Sequence, residues 1–287
     1  EREKEKTISG PFGDVVHLDI RHLGKKKIDK KLPFVRELAK NYAGIDPVYE
    51  PIPVRPVVHY MMGGIDTNID CSTILPGLFA AGECACVSIN GANRLGSNSL
   101  TEILVYGARA GNAAAVFAAE HSEINLEALE KQGADEYKRI TRDFLQKDGG
   151  SERIATLRKE MHQVMEQSVD IFRSESGLKE ACNKIEELKD RFSSILIEDK
   201  SLNFNTELTS ALELENMIDV AESIIFSALS RRESRGSHQR TDFVNRDDEN
   251  FLRHSLAYRT EAESRIEYQD VVITKWPPAE RIYGKEE

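Results

Sequence analysis

Arg94 is the residue of this chain whose neighbours best equip it for chemistry. A guanidinium stays charged at any working pH and presents a planar fork that grips a carboxylate through two hydrogen bonds. Asn93, Gly96, Ser97 and Asn98 around it supply turns and hydrogen bonds without bulk. The same arginine can instead tie loops together through backbone carbonyls or a salt bridge. Upstream, Glu83 follows Gly82 at the end of the apolar run Pro76 to Ala81. An acidic residue at the carboxyl end of a strand accepts hydrogen bonds from sugar or ribityl hydroxyls. Downstream, Ser99-Leu100-Thr101-Glu102 has the capping-box pattern S-x-x-E and is expected to open a helix. The free N–H groups of Ser99 and Leu100 would favour negative charge there. An acidic acceptor, a fixed guanidinium and a helix N-terminus around one pocket suit a flavin together with a carboxylate substrate.

His59 is the second candidate. It sits in the apolar run Val57 to Met62, just before Gly63-Gly64, where the backbone must turn or approach something closely. A lone histidine on a strand is more often a satisfied core residue; the glycine pair beside it raises the functional reading. His17, His162, His238 and His254 have no such setting and are read as structural or surface.

These residues have to be positioned by a small set of elements. Residues 14–19 read as a strand and Pro33 to Tyr42 as a helix with proline in its first turn. Val57 to Met62 and Ile74 to Ala81 read as strands, the second interrupted by Pro76-Gly77. The helix after Ser99 is alanine-rich, a composition that lets a helix lie close against a sheet. Beyond Glu123 the chain turns charged and helical. Ile154, Leu157, Met161, Val164, Val169 and Phe172 recur at mostly three- and four-residue steps, as do Leu178, Ile185, Leu188 and Phe192. With the run Leu208 to Ile225 they predict an antiparallel helical bundle. Arg265 to Thr274 reads as part of a final strand pair.

A net charge of -10 over 287 residues, without a basic stripe, excludes a nucleic-acid binder. Four cysteines are too few for a disulfide framework, and Cys84-x-Cys86 lacks the partners a metal site needs, so these read as buried structural thiols. No apolar stretch follows the charged start Glu1 to Lys6, so no signal peptide is expected. Ile103 to Ala119 is broken by Arg109 and short for a membrane span, so any membrane attachment is expected through a partner.

Pro51-Ile52-Pro53, the segment His59 to Ile65, Pro76 to Glu83 and Gly91 to Leu100 resemble the flavoprotein subunit of succinate dehydrogenase and fumarate reductase. Arg232 to His238 and Asp247 to Ser255 resemble that family's C-terminal domain. The resemblance covers essentially the whole chain but only about the C-terminal half of the family's usual length. It implies an α/β plus all-α fold: residues 1–50 ending a capping domain, 51–118 the returning part of a dinucleotide-binding (FAD) domain, 119–230 a helical bundle domain and 231–287 a small C-terminal domain.

It also implies FAD-dependent interconversion of succinate and fumarate by hydride exchange at flavin N5. His59 and Arg94 would bind the substrate carboxylates, and Tyr60, Gly82, Glu83, Ser99 and Leu100 would contact FAD. Electrons would pass to an iron–sulfur subunit on a membrane anchor, at the cytoplasmic face of a prokaryotic membrane or the matrix side of a mitochondrial one. No G-x-G-x-x-G occurs here, and the family's flavin-attaching histidine and proton-shuttling arginine have no counterpart in these residues. The expectation is therefore a truncated chain, inactive alone. L-aspartate oxidase is similar in the His59 and Arg94 segments, adenylylsulfate reductase more distantly, and a non-catalytic docking fragment is the reading from another class.

Overall fold

The computed structural model describes residues 7–10, 13–121, 125–260 and 264–279, which divide into two compact units, 1–59 and 60–287. In the N-terminal unit β1 (Ile8–Gly10), β2 (Gly13–Leu18) and β3 (Ile52–Val54) form an antiparallel sheet in that order, with Val16 opposite Val54 and Leu18 opposite Ile52. α1 (Gly24–Lys31) buries Ile28 completely, and α2 (Pro33–Leu38) runs into a π-helical turn, Ala39–Ala43, so the predicted single helix changes its winding before Gly44. Arg36 ties this unit together, its Nε and Nη2 donating to both carboxylate oxygens of Asp46 at 2.9 and 2.6 Å. That fork holds the Asp46 carboxyl well below the usual carboxylate range.

The larger unit begins with a parallel pair, β4 (Ile65–Asp66) and β5 (Ala85–Cys86), and the long helix α3 (Asn98–Glu120). Two expected strands do not form. Residues 57–62 have no regular structure, and residues 74–81 make turns with a single bridge, Ser72 to Phe79. Val57, Val58, Ile74 and Leu75 stay exposed, and no described strand lies alongside to pair with them. An apolar run becomes a strand only where a neighbour takes its N–H and C=O groups. α3 likewise lies against no sheet among the described residues: Leu100, Ile103, Leu104 and Val105 are exposed. No helix among the described residues is long and apolar enough to cross a membrane. All four cysteines are free; Cys71 is buried as expected, whereas Cys84 is exposed.

The bundle follows the apolar periodicity. α4 (Leu126–Ile140) leads through a π-helical turn, Thr141–Leu145, to α5 (Ile154–Ser168), α6 (Glu175–Phe192) and α7 (Thr206–Ser230). Leu157, Met161 and Val164 of α5 meet Leu178, Ile185 and Leu188 of α6 and Leu214, Ile218 and Ile225 of α7 in one core. Each such side chain contributes about 1.5–3 kcal/mol on burial. Asn125, Ser174 and Asn205 cap α4, α6 and α7 by accepting backbone N–H bonds. Phe172 departs from the expected apolar face: it lies in β6 (Phe172–Arg173) and is exposed.

β6 runs parallel to β7 (Gln239–Arg240), and after the short α8 (Asp248–Phe251) the hairpin β8 (Arg253–Tyr258) and β9 (Arg265–Asp270) closes the fold. His238 is buried beside β7. Its Nδ1 accepts from Arg173 Nη1 at 2.9 Å, which leaves Nε2 protonated to donate to the Arg231 carbonyl at 3.0 Å. Burial first, and then the charges of Arg173, Arg231 and Arg240, push its pKa from 6.5 down to about 4. The imidazole is therefore neutral in the folded chain, while the unfolded chain takes up the proton between pH 6.5 and 4. Its contribution is complete above about pH 6.5 and falls by about 3 kcal/mol as the pH drops to about 4. Urea midpoints across that window should fall less steeply for His238→Gln than for the natural chain; parallel slopes would refute this.

Candidate functional site

The site residues of the larger unit converge around the first turns of α3. Gly91 to Gly96 form a loop whose end is set by Ser97, which sits in the left-handed region at φ 67°. α3 starts at Asn98, and Ser97 makes no side-chain capping bond. The expected capping box is thus absent. Ser99 and Leu100 are the second and third residues of the helix, Ser99 half-buried and Leu100 exposed; no side chain caps the helix among the described residues, and the Leu100 N–H, expected to be free, donates to the Ser97 carbonyl at 3.1 Å.

Glu102 does something else. It is 2% exposed, and its Oε2 accepts from Tyr60 Oη at 3.0 Å and from Asn90 Nδ2 at 2.8 Å. Tyr60 in turn lies beneath Arg94, with the guanidinium carbon 4.2 Å from the ring centroid. Burial, followed by the bond to Glu102, pushes the Tyr60 phenol upward, so it remains a neutral donor. Arg94 is half-buried; its Nη1 donates to the Leu95 carbonyl at 3.1 Å, and its Nε is buried with no hydrogen-bond partner among the described residues. A guanidinium with an unmet buried N–H and a ring against one face is oriented for an incoming acceptor.

Glu83 precedes β5 on a turn, at the amino end of a strand rather than at the carboxyl end expected. Its Oε1 accepts from the Met61 backbone N–H at 3.1 Å, which pins the segment after Tyr60. Gly82 beside it is buried at φ 82°, and a Cβ there would stand 3.1 Å from Ile103 Cγ2 of α3. Gly64 is tighter: at φ 125° its Cβ would stand 2.6 Å from the Cys84 carbonyl carbon and 2.9 Å from the Ala85 nitrogen. Gly64→Ala should destabilise the fold by about 3 kcal/mol, from strain at positive φ and a clash with backbone that cannot rotate away. A thermal midpoint within one degree of the natural chain would contradict it.

His59 ends the N-terminal unit as an exposed residue of the irregular stretch before Tyr60. The larger unit links Arg94 to Tyr60, Tyr60 to Glu102 of α3, Glu83 to Met61 and Gly82 to Ile103 of α3, whereas Ser99 and Leu100 lie at the start of α3 with no bond or ring contact to the other site residues among the described residues. Sequence reasoning missed Asn90, and it assigned Glu102 to a cap; its three-residue spacing from Ser99 imitates that motif.

Residues 158–283 match the family model described as fumarate reductase flavoprotein C-term, and residues 1–100 match that described as FAD binding domain. The fumarate reductase flavoprotein subunit of Mycobacterium tuberculosis (strain ATCC 25618 / H37Rv) is 54% identical over 289 residues, taking in 99% of this chain and 50% of its own length. The succinate dehydrogenase flavoprotein subunit of Rickettsia bellii (strain RML369-C) is 38% identical over 296 residues, 96% of this chain and 48% of that protein. A solved Escherichia coli quinol fumarate reductase FrdA mutant superposes with a TM-score of 0.95 at 49% identity, covering 100% of this chain and 49% of that one. The chain spans about half the length of the curated relatives it matches. With both signatures in order and this identity along its whole length, the chain belongs to the succinate dehydrogenase and fumarate reductase flavoprotein-subunit family.

Proposed function

We propose that this chain supplies the substrate-gripping arginine and part of the FAD contacts of an enzyme that interconverts succinate and fumarate. The observation that carries the reading is Arg94: a half-buried guanidinium braced on the Tyr60 ring, with a buried N–H that no described residue satisfies. One substrate carboxylate would take that fork, and His59 would donate to the other. Anchoring both ends of a four-carbon dicarboxylate fixes its central carbons and converts a collision into an oriented encounter.

The residues present fit FAD. The N-terminus of α3 has no side-chain cap; the Asn98 and Leu100 N–H groups already donate to the Leu95 and Ser97 carbonyls at 3.2 and 3.1 Å, which leaves the Ser99 N–H to face an electron-rich ring edge. Gly82 and Gly64 keep the adjoining backbone free of side chains, and Glu83 offers a carboxylate to hydroxyl groups. Bound FAD would supply hydride acceptance or donation at its N5 position. Tyr60, given a flavin contact by the resemblance, would serve at least equally as the support of Arg94.

The boundaries 1–50, 51–118, 119–230 and 231–287 are part of the same proposal, as are electron delivery to an iron–sulfur subunit and peripheral attachment through a membrane anchor. The support is the likeness to the flavoprotein of a quinol fumarate reductase, whose name couples it to a quinol. The test is anaerobic titration of the purified holoenzyme with succinate and, separately, L-aspartate, following visible flavin absorbance. Bleaching by succinate alone upholds the reading. Bleaching by aspartate transfers it to an amino-acid oxidase, and bleaching by neither overturns it.

A further inference from the structure

Glu102 is a buried acidic side chain held by neutral donors rather than by a cation among the described residues. It is 2% exposed and forms no ion pair among the described residues. A buried carboxylate without a positive partner is costly and rare. Here it is held by two neutral donors that converge on one oxygen, Tyr60 Oη at 3.0 Å and Asn90 Nδ2 at 2.8 Å. Both donors are tied to Arg94, Tyr60 by direct contact and Asn90 along the chain. Tyr60 lies under the guanidinium at 4.2 Å, and Asn90 stands four residues before Arg94 in the same loop. Glu102 itself lies in the first turns of α3, a helix of 23 residues.

We infer that Glu102 is a positioning residue: through Tyr60 and Asn90 it fixes the plane in which Arg94 presents its fork to a substrate carboxylate. The inference rests on the reading of Arg94 proposed above. A bidentate grip needs the guanidinium plane aligned with the carboxylate plane, and a ring against one face, itself locked by a buried acceptor, sets that alignment. Arg94 has few other restraints, since Nη1 reaches only the adjacent Leu95 carbonyl and Nε is unpartnered among the described residues.

The test measures inhibition by malonate, a non-reacting dicarboxylate, together with kcat and KM for fumarate in the holoenzyme. Tyr60→Leu and Glu102→Leu should each weaken malonate binding and raise KM about 10-fold, with a smaller effect on kcat. Glu102→Gln should restore most of the affinity, because both donors bind one oxygen and an amide oxygen can accept both. Tyr60→Phe keeps the ring but loses the anchor, so it should fall between; it also serves if Glu102→Leu does not fold. In an Arg94→Lys background the Tyr60→Leu and Glu102→Leu effects should shrink to less than about 2-fold, since an ammonium has no plane to orient.

Full, independent effects in the Arg94→Lys background would overturn the inference, as would unchanged malonate binding in folded Tyr60→Phe and Glu102→Leu enzymes. Either result, with Arg94→Lys alone still impairing malonate binding, leaves the function of Arg94 standing. Unchanged malonate binding in Arg94→Lys alone would overturn both.

Discussion

Arg94→Ala in the holoenzyme is expected to lower kcat/KM for succinate and fumarate by about 10²- to 10⁴-fold. The estimate follows from what the side chain would do. A guanidinium–carboxylate pair makes two charge-assisted hydrogen bonds, each worth about 1.5–3 kcal/mol in a desolvated site. Removing the cation leaves the substrate carboxylate without its counter-charge, and breaking a buried pair in this way costs about 3–5 kcal/mol. At about 1.4 kcal/mol per tenfold, that is about 10² to 10⁴ in rate. Because Arg94 is held mainly by Tyr60 and the Leu95 carbonyl, its loss should cost little fold stability. Steady-state kinetics with thermal denaturation as control checks this. An Arg94→Ala enzyme within 10-fold of natural activity would remove the arginine from the site.

The grounds for that expectation were partly legible in the chain. Arg94 stood out because of its place between the Gly82-Glu83 turn and the start of a helix, since the Gly, Asn and Ser residues around it suit a loop-tying arginine equally well. Its support did not stand out. Tyr60 is 34 positions away and Glu102 imitates a capping residue, so the support of Arg94 exists only once the chain is folded. The bundle was legible for the opposite reason. Leu157, Met161 and Val164 repeat with the helical period, and a helix satisfies its own backbone, so local pattern suffices.

Strands lack that independence. Val57 to Met62 and Ile74 to Ala81 carry the composition of strands, yet their backbone groups need neighbours that the apolar pattern cannot supply. Charge alone is equally silent at the C-terminal end, where Arg231 to Arg240 is rich in arginine. In the fold, Glu233 and Arg240 are fully or nearly fully buried. Nothing in residue type separates an arginine that faces water from one that organises a core; only the positions of its acceptors do.

Arg240 shows how large that organising effect should be. Its side chain is completely buried, and its Nε and Nη2 donate to the two oxygens of Asp242 at 2.7 and 2.8 Å. Its Nη1 meanwhile reaches the carbonyls of Ala228, Leu229 and Arg231 at 3.1, 3.4 and 3.4 Å. The first two belong to the last turn of α7, whose final carbonyls have no partner inside the helix. One guanidinium therefore caps α7, neutralises Asp242 and stands at β7, fastening the bundle to the C-terminal strands. A cation at a helix C-terminus also gains from the helix dipole.

Arg240→Ala removes all of this at once and leaves carbonyls and a carboxylate without donors. The expected cost is about 3–5 kcal/mol, at the upper end for a single substitution. For a unit of this size that corresponds to a fall of about 10 °C in thermal midpoint. Arg240→Lys should recover only part of it, because an ammonium cannot bridge Asp242 and the helix end in one plane. Differential scanning calorimetry of the holoenzyme decides the matter: a midpoint within 2 °C of the natural protein for Arg240→Ala would show that the helix end and Asp242 find water or other donors, and that this buried guanidinium does not hold the two parts together.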